Sequence, residues 1–294
     1  MFDLRYHVAS LAAVFLALII GILVGVGIAS ETTVSESDRQ LLERQIANLQ
    51  RDLSDANANA DLLRRQQTAS ATFIERSYAA LMEGRLRGVR VALLFVGQAD
   101  PDLREAVTQT LDDADGPSLV RMRALLLPID PDRIIGPLDT DQGESLGLEE
   151  IGRRLGVELA SGGDTPTWDA LSQVIVEDRL GDVDEEADAV VIAHTARISD
   201  SPTARFVSGI YAGIAGSNVP AVGVERTSER PSRISVYRGA GLSTVDSVDR
   251  TLGRVALAEL LRGGAEGHYG LKSTAEDGSV PQIEPLPLAP LPGG

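Results

Sequence analysis

The chain has 294 residues, a formal net charge of −16 and no cysteine, and its aromatic content is only 4%. The absence of cysteine excludes a disulfide scaffold, a thiolate metal site and a cysteine nucleophile. The acidic charge disfavours nucleic acid as a partner, because phosphate binding requires a basic surface. The length allows one full domain and an additional segment.

Residues 8–29 form an uncharged, apolar run. A transmembrane helix needs about 20 such residues, and the apolar region of a cleaved signal peptide is usually shorter. We therefore predict one membrane-spanning helix at 8–29, with a cleaved signal peptide or a buried core helix as the alternatives. Arg5 and His7 precede the run and acidic residues follow it. This asymmetry predicts that residues 1–7 are cytoplasmic and that the remaining chain is extracytoplasmic.

Small residues recur every four positions inside this predicted helix, at Ala13, Ala17, Gly21 and Gly25. This spacing lets two transmembrane helices approach closely, and it predicts self-association through this face. The alternative is that glycine and alanine are simply common in such helices.

Residues 31–84 contain no proline, and their first glycine is Gly84. Apolar residues follow alternating four- and three-residue steps, which is typical of a coiled coil. The seam consists of Leu42, Ile46, Leu49, Leu53, Ala56, Ala60 and Leu63. We predict a coiled-coil stalk at 31–84 that forms a parallel homodimer, mainly through Leu42, Ile46, Leu49 and Leu53. A monomeric stalk and a helix that folds back on its own domain are the alternatives.

Residues 88–265 alternate between apolar runs and helical segments, which predicts an α/β fold with a doubly wound, mainly parallel sheet. The predicted strands are 88–97, 119–127, 187–193 and 221–225, with 233–237 as an edge strand. The predicted helices are 101–113, 145–159, 167–180, 202–215 and 251–262. The Gly- and Pro-rich residues 266–294 predict a flexible tail, or alternatively a peptide ligand.

The sequence contains no dinucleotide-binding, nucleophile-elbow, zinc-protease or Walker motif, and we therefore do not expect an enzyme. His194 follows a predicted strand and is the one candidate ligand for a metal, with a capping or solvated side chain as the alternative. A carboxylate run would suit a hard cation, although a solvated loop is the simpler interpretation. The run consists of Asp182, Asp184, Glu185, Glu186 and Asp188.

A second polar string lies before the last predicted helix and consists of Ser243, Asp246, Ser247 and Asp249. Asp246 or Asp249 would cap that helix. The residues do not predict a copper site, because cysteine is absent and the three methionines and three histidines are far apart in the sequence.

Three blocks carry a resemblance to a known family: LRYHVASLAAVFLAL at 4–18, TVDSVDR at 244–250 and GHYG at 267–270. In these blocks, in their order, the chain resembles the mycobacterial-type copper transport protein B family, MctB, of actinobacterial envelopes. The resemblance implies copper transport or copper homeostasis. Members of the family are sometimes placed in the outer membrane. It implies copper as the metal, and it assigns no catalytic residues to positions of this sequence. Related envelope proteins are associated with cell division and with control of peptidoglycan hydrolases.

Two functions therefore remain open. The first is a copper-transport or copper-homeostasis component of the envelope, as the resemblance implies. The second is a non-enzymatic, membrane-anchored dimer that acts as a scaffold for envelope or cell-division partners.

Overall fold

A computed structural model describes residues 4–28, 36–117, 119–138, 146–181 and 185–286. The chain forms two units, residues 1–70 and 71–294.

The first unit begins with helix α1, Leu4–Ile28. The side chains described in α1, those of residues 13–25, are all exposed, and a Cβ added at Gly21 or Gly25 would contact nothing within 4 Å. Among the described residues, no helix combines the length and the apolarity needed to cross a membrane. Within the described part of α1, the four small residues from Ala13 to Gly25 are therefore exposed.

Helix α2, Glu36–Met82, continues from the first unit into the second. The helix covers most of the predicted stalk at 31–84, whose coiled-coil pairing stays a prediction, and residues 31–35 lie outside the described residues. Its four principal seam residues, Leu42, Ile46, Leu49 and Leu53, are 53–66% exposed.

The second unit contains a seven-stranded sheet in the order β3-β2-β1-β4-β5-β6-β7. The strands are β1 Val91–Val96, β2 Arg121–Leu125, β3 Val176–Leu180, β4 Ala189–His194, β5 Ala221–Val224, β6 Ser243–Val245 and β7 His268–Tyr269. The helices described are α3 Pro101–Asp113, α4 Pro131–Ile135, α5 Leu148–Ser161, α6 Pro166–Ile175, α7 Ser201–Ala215, α8 Ile234–Gly239 and α9 Thr251–Leu261, and a 3-10 turn lies at Gly136–Leu138. All strand pairs are parallel except β2 with β3. The predicted α/β fold with a mainly parallel sheet is confirmed.

Strand β1 shows why both faces of the sheet are covered. Leu93 and Phe95 belong to one apolar cluster, which includes residues of α3 and α9, whereas Leu94 and Val96 belong to a second cluster with residues of α5, α6 and α7. Successive side chains of a strand point to opposite faces, so an uninterrupted apolar strand fits a sheet with helices on both sides. β4 is buried along its whole length in the same way.

Helices α5 and α7 pack with their backbones in close approach, because glycines face each other across the contact. A Cβ on Gly156 would lie 2.2 Å from the carbonyl oxygen of Ile210, and a Cβ on Gly213 would lie 2.1 Å from that of Arg153. Any side chain larger than hydrogen would force the two helices apart.

Two predicted elements were wrong. The segment 233–237, predicted as an edge strand, is helix α8, and its buried residues Ile234 and Tyr237 are three positions apart, as on one face of a helix. The helix predicted at 167–180 ends at Ile175, where edge strand β3 begins. The residues of β3 are mostly charged and exposed, so an apolar run, the pattern that predicts a buried strand, is missing there.

Strands β6 and β7 are short, and the sequence did not indicate either of them. β7 lies within the segment that we expected to be an extended tail, and it pairs with β6 through Thr244 and Val245. Residues 287–294 of the expected tail lie outside the described residues.

Candidate functional site

The point where strand order reverses, between β1 and β4, is the position at which sheets of this kind bind ligands. Here the chain itself fills that position. The Val96 carbonyl accepts hydrogen bonds from the backbone N–H groups of Thr195 (3.1 Å) and Ala196 (3.0 Å). Gly97 has φ +116°, and a Cβ there would lie 2.7 Å from both the Thr195 hydroxyl and the Ala196 nitrogen. The crevice is therefore occupied by backbone.

His194 ends β4 and is buried, with 8% of its surface exposed. Its Nδ1 lies 2.8 Å from the Tyr211 hydroxyl, and its backbone N–H donates to the Tyr237 hydroxyl at 2.7 Å. The rings of Tyr211 and Tyr237 are themselves 5.8 Å apart. Nε2 is buried and has no hydrogen-bond partner among the described residues. The candidate metal ligand is thus a core histidine held by two tyrosines.

Burial lowers the pKa of His194 to about 4, and the positive charge of Arg233 contributes to the same shift. At neutral pH the ring is therefore uncharged. A neutral imidazole has a free lone pair for a metal, but a site needs further ligands. Groups of three or more His, Cys, Asp or Glu side chains that would hold a metal are absent from the part of the chain that the structure describes.

A buried ion pair lies at the carboxyl end of β5. Lys272, the only lysine of the chain, donates from Nζ to Oε1 of Glu225 at 2.6 Å, and the two side chains are 9% and 3% exposed. Glu225 also accepts from the Ser232 hydroxyl (2.8 Å) and from the Arg233 backbone N–H (2.7 Å). These contacts bring together the segments that follow β5 and β7. Sequence reasoning missed this pair, because Lys272 and Glu225 are distant in the chain.

Asp246, the first residue after β6, holds the segment that follows β7 in place through hydrogen bonds. Its carboxylate accepts hydrogen bonds from the backbone N–H groups of Leu271 (2.8 Å) and Lys272 (3.2 Å) and from the Thr274 hydroxyl (2.7 Å). The expectation that Asp246 or Asp249 caps the following helix was wrong. The cap position of α9 is Arg250, which makes no side-chain capping bond.

Asp249 instead fixes the loop after β5, and Arg226 of that loop reaches the start of α3. Oδ1 of Asp249 accepts from the backbone N–H (2.6 Å) and the hydroxyl (2.9 Å) of Thr227. Arg226 pairs with Asp100 (3.1 Å) and with Asp102 (2.6 Å). The polar residues at this edge therefore stabilise one another and link the loops.

The described part of the carboxylate run is also engaged. Asp188 binds the Arg90 guanidinium through two hydrogen bonds of 3.0 Å, which lowers the pKa of Asp188. The carbonyl of Glu185 accepts from Arg121, and Glu186 lies 3.8 Å from Arg90. Asp182 and Asp184 lie outside the described residues.

The remaining groups with affinity for copper are dispersed. Met82 and Met122 are buried in the apolar core, and His268 lies 3.1 Å from the Thr244 hydroxyl. The side chain of His7 lies outside those that the structure describes.

The fold and these clusters define a class of protein: a parallel α/β domain, preceded by a long helix, whose polar residues at the strand ends are used in internal contacts. The sequence matches the family described as "Copper transport outer membrane protein, MctB" over residues 1–125 and 139–280. The chain belongs to the MctB family. It is similar to the proteins named "Copper transporter MctB" of Mycobacterium bovis and Mycobacterium tuberculosis, each 27% identical over 96% of this chain and 100% of the relative.

Proposed function

We propose that this protein is a copper-transport or copper-homeostasis component of the bacterial cell envelope. The observation that carries the proposal is the family match, which extends from residue 1 to residue 280 with one interruption. The similarity to the mycobacterial proteins covers both units of the chain, so it is not limited to the α/β domain. The family name is that of a transporter and not of an enzyme.

In this proposal, residues 8–29 anchor the protein as a single transmembrane helix, with residues 1–7 inside the cell. Residues 31–84 form the stalk, 88–265 the extracytoplasmic domain and 266–294 the tail. The uncharged run and the basic residues before it support this arrangement. The family description favours an outer membrane as the alternative location. A single helix encloses no pore, so transport would require an assembly of several copies or a partner protein.

Copper would then be cargo whose ligands come from more than one chain. A direct role would require the donors of two copies or of a partner, because the described residues of one chain provide no three-ligand cluster. His194 is the proposed histidine ligand through its unpartnered Nε2, and because this atom is buried the domain would have to open locally before His194 joined ligands of a second chain.

The decisive experiment separates binding from cellular function. The purified full chain in lipid nanodiscs is titrated with Cu(I) and Cu(II), beside the His194→Gln variant. Binding tighter than micromolar that is lost in the variant supports a direct role. In cells, deletion of the gene is expected to change copper content, and the wild-type gene is expected to restore it. Unchanged copper content in the deletion strain would contradict the proposal.

We infer a second candidate, a non-enzymatic dimeric scaffold for envelope or cell-division partners. The observation that favours it is the exposed apolar seam of α2, since such a seam is normally covered by another helix. Its test uses the same deletion strain. Normal copper content together with a division defect, restored by wild type but not by the seam variant Leu49→Glu, would favour the scaffold over copper transport.

A further inference from the structure

Residues 279–286 lie on the domain as an extended segment that contains neither helix nor strand, and we call this segment the strap. Val280 and Ile283 of the strap pack against the apolar cluster that includes residues of α9. Gln282 and Glu284 are exposed. The strap therefore contacts the domain as a bound peptide does, with some side chains on the protein and others in solvent.

The strap reaches from the end of one helix to the end of another. A Cβ on Gly264, just after α9, would lie 3.6 Å from Oε2 of Glu284. A Cβ on Gly84, just after α2, would lie 3.6 Å from Cδ1 of Leu286. All four residues belong to the second unit. The surface beneath the strap thus extends from the end of α9 to the end of α2, and we call it the strap site.

Arg85 is the polar part of the strap site. Its Nη1 donates to the backbone carbonyl of Glu284 at 3.1 Å, and its guanidinium also pairs with Glu259 of α9. The side chains of Arg85 and Glu259 are buried, with 6% and 4% of their surface exposed. Extended, proline-containing peptides dock through pockets for their side chains, and their backbone carbonyls remain free for donors. The strap site provides both kinds of contact.

Few bonds hold the strap in place. The structure records one hydrogen bond between the strap and the rest of the described chain, the bond from Arg85. The preceding turn is fixed more firmly, because the Gly270 N–H donates to the Gly278 carbonyl (3.0 Å) and the Asp277 N–H to the His268 carbonyl (3.1 Å). Segments with few buried contacts and few hydrogen bonds open at the lowest cost. Opening is therefore confined to the strap, while the domain stays folded.

The strap also carries an unfavourable charge for its site. Burial raises the pKa of Glu259, and the negative charge of Glu284 adds to this shift. The strap thus brings a second carboxylate close to a buried one, and like charges repel. A segment with an uncharged residue at this position would avoid the repulsion. Exchange of straps between two copies would keep the repulsion and free no site, since each chain has one strap for one strap site.

We propose that the strap is a displaceable internal ligand, and that the strap site docks an extended segment of a partner protein. This segment has the pattern of Val280–Ile283, which is an apolar residue, a proline, any residue and a second apolar residue. It carries an uncharged residue in place of Glu284. The docking surface requires neither copper transport nor dimerisation of the stalk, so each of these proposals can fail alone.

The first test follows the strap with a single thiol, because the chain contains no cysteine. The full chain in nanodiscs carries Ile283→Cys, with the exposed neighbour Gln282→Cys as the control. The thiol at 283 is expected to react with a maleimide more slowly than the thiol at 282. Millimolar peptide SVPQIQPL is expected to raise the rate at 283 about threefold or more, since a short tether gives the strap an effective concentration in the same range.

The matched peptide SDPQDQPL lacks both apolar anchors and is expected to leave the rate at 283 unchanged. A rate that does not respond to SVPQIQPL would overturn the proposal. An equal response to both peptides would overturn it as well, because the apolar anchors would then have no role.

The second test opens the strap site with the paired substitutions Val280→Asp and Ile283→Asp, and Gln282→Asp is the control. Fluorescent SVPQIQPL is expected to bind the double variant about tenfold more tightly than wild type, because the tethered competitor is released. The control is expected to bind like wild type. Restoring glutamate at the sixth position of the peptide is expected to weaken binding about twofold to fivefold.

Equal affinity of the peptide for wild type and for a folded double variant would overturn the proposal. If the double variant does not fold, the thiol rates decide. Association of the double variant with wild-type chains that free peptide abolishes would make a second copy the occupant, and the assignment to a partner protein would be wrong.

Discussion

The carboxylate of Asp246 occupies the space that a side chain on Gly270 would need. Gly270 has φ +145°, and a Cβ there would lie 1.9 Å from Oδ1 of Asp246. Asp246 belongs to the block TVDSVDR and Gly270 ends the block GHYG. The two blocks through which the domain resembles its family therefore contact each other. In this structure Asp246 stabilises the fold of the domain through its hydrogen bonds.

Gly270→Ala is expected to lower the free energy of unfolding by about 2–4 kcal/mol, because the new methyl group clashes and the backbone conformation disfavours L residues. Asp246 would have to move, and its bonds to the backbone of Leu271 and Lys272 would weaken. Urea unfolding followed by circular dichroism measures the change. Gly239→Ala is the control, since it has open space and an ordinary φ. Equal stability of the two variants would contradict the steric explanation.

Gly156→Ala is expected to destabilise the domain by about 2–3 kcal/mol, although alanine favours an isolated helix by about 1 kcal/mol. The reason is the 2.2 Å separation between the new Cβ and the Ile210 carbonyl oxygen, which would force α5 away from α7. Thermal unfolding checks the sign. Ser208→Ala, on the exposed side of α7, is the control and should be neutral or slightly stabilising. A stabilised Gly156→Ala variant would show that the two helices separate at little cost.

Lys272→Met is expected to cost about 3 kcal/mol, because it leaves the buried Glu225 carboxylate without its cation. Adding Glu225→Gln should recover part of the loss, and a double-mutant cycle in urea measures the coupling. The exposed pair of Arg87 and Asp115 is the control, and Arg87→Met should have almost no effect. Additive effects of Lys272→Met and Glu225→Gln would mean that the buried pair does not contribute as a unit.

The stability of the domain is expected to fall between pH 6.5 and pH 4 in part through His194. Its pKa is about 4 in the folded chain and about 6.5 when unfolded, so the unfolded state takes up the proton first. The contribution is fully present above pH 6.5 and is lost as the pH falls to 4, a total of about 3 kcal/mol. His194→Gln removes this titration. Unfolding free energies measured from pH 7 to pH 4 should therefore fall less steeply in His194→Gln, and parallel curves would exclude the effect.

The sequence predicted the central strands because β1 and β4 are uninterrupted apolar runs, and such runs need cover on both faces. It did not predict β3 or β6, since their residues are charged or polar and their pairing is decided by neighbouring strands. Helix α8 was mistaken for a strand because Ile234 and Val236 alternate, while the burial actually follows Ile234 and Tyr237.

The polar clusters were harder to predict than the strands. Asp246 was noted only as a possible helix cap, because its actual partners follow it by 25 or more residues and are mostly backbone groups, which no side-chain pattern reveals. His194 was also singled out, yet its burial depends on how α7 and α8 pack, since they supply Tyr211 and Tyr237. Local patterns identify an unusual residue, whereas its role depends on contacts that only folding creates.

The absence of cysteine makes the predicted parallel dimer directly testable. In a parallel coiled coil each seam residue lies opposite the same residue of the second chain, so one cysteine placed at Leu49 should form a disulfide between chains. Leu49 is 66% exposed in the single chain, so the substitution should not disturb its fold. Mild oxidation of the full-length Leu49→Cys variant in membranes, followed by non-reducing electrophoresis, is expected to give a covalent dimer.

Ala47→Cys is the matched control, because Ala47 is two residues from Leu49 and therefore lies on the face of α2 that points away from the predicted seam. Both thiols would be exposed in a monomeric stalk and would cross-link slowly and to the same extent. A parallel dimer should cross-link rapidly at position 49 and much less at 47. In an antiparallel dimer Leu49 would face a different residue of the second chain, so position 49 would lose its advantage. Equal rates at 47 and 49 would therefore contradict the parallel seam.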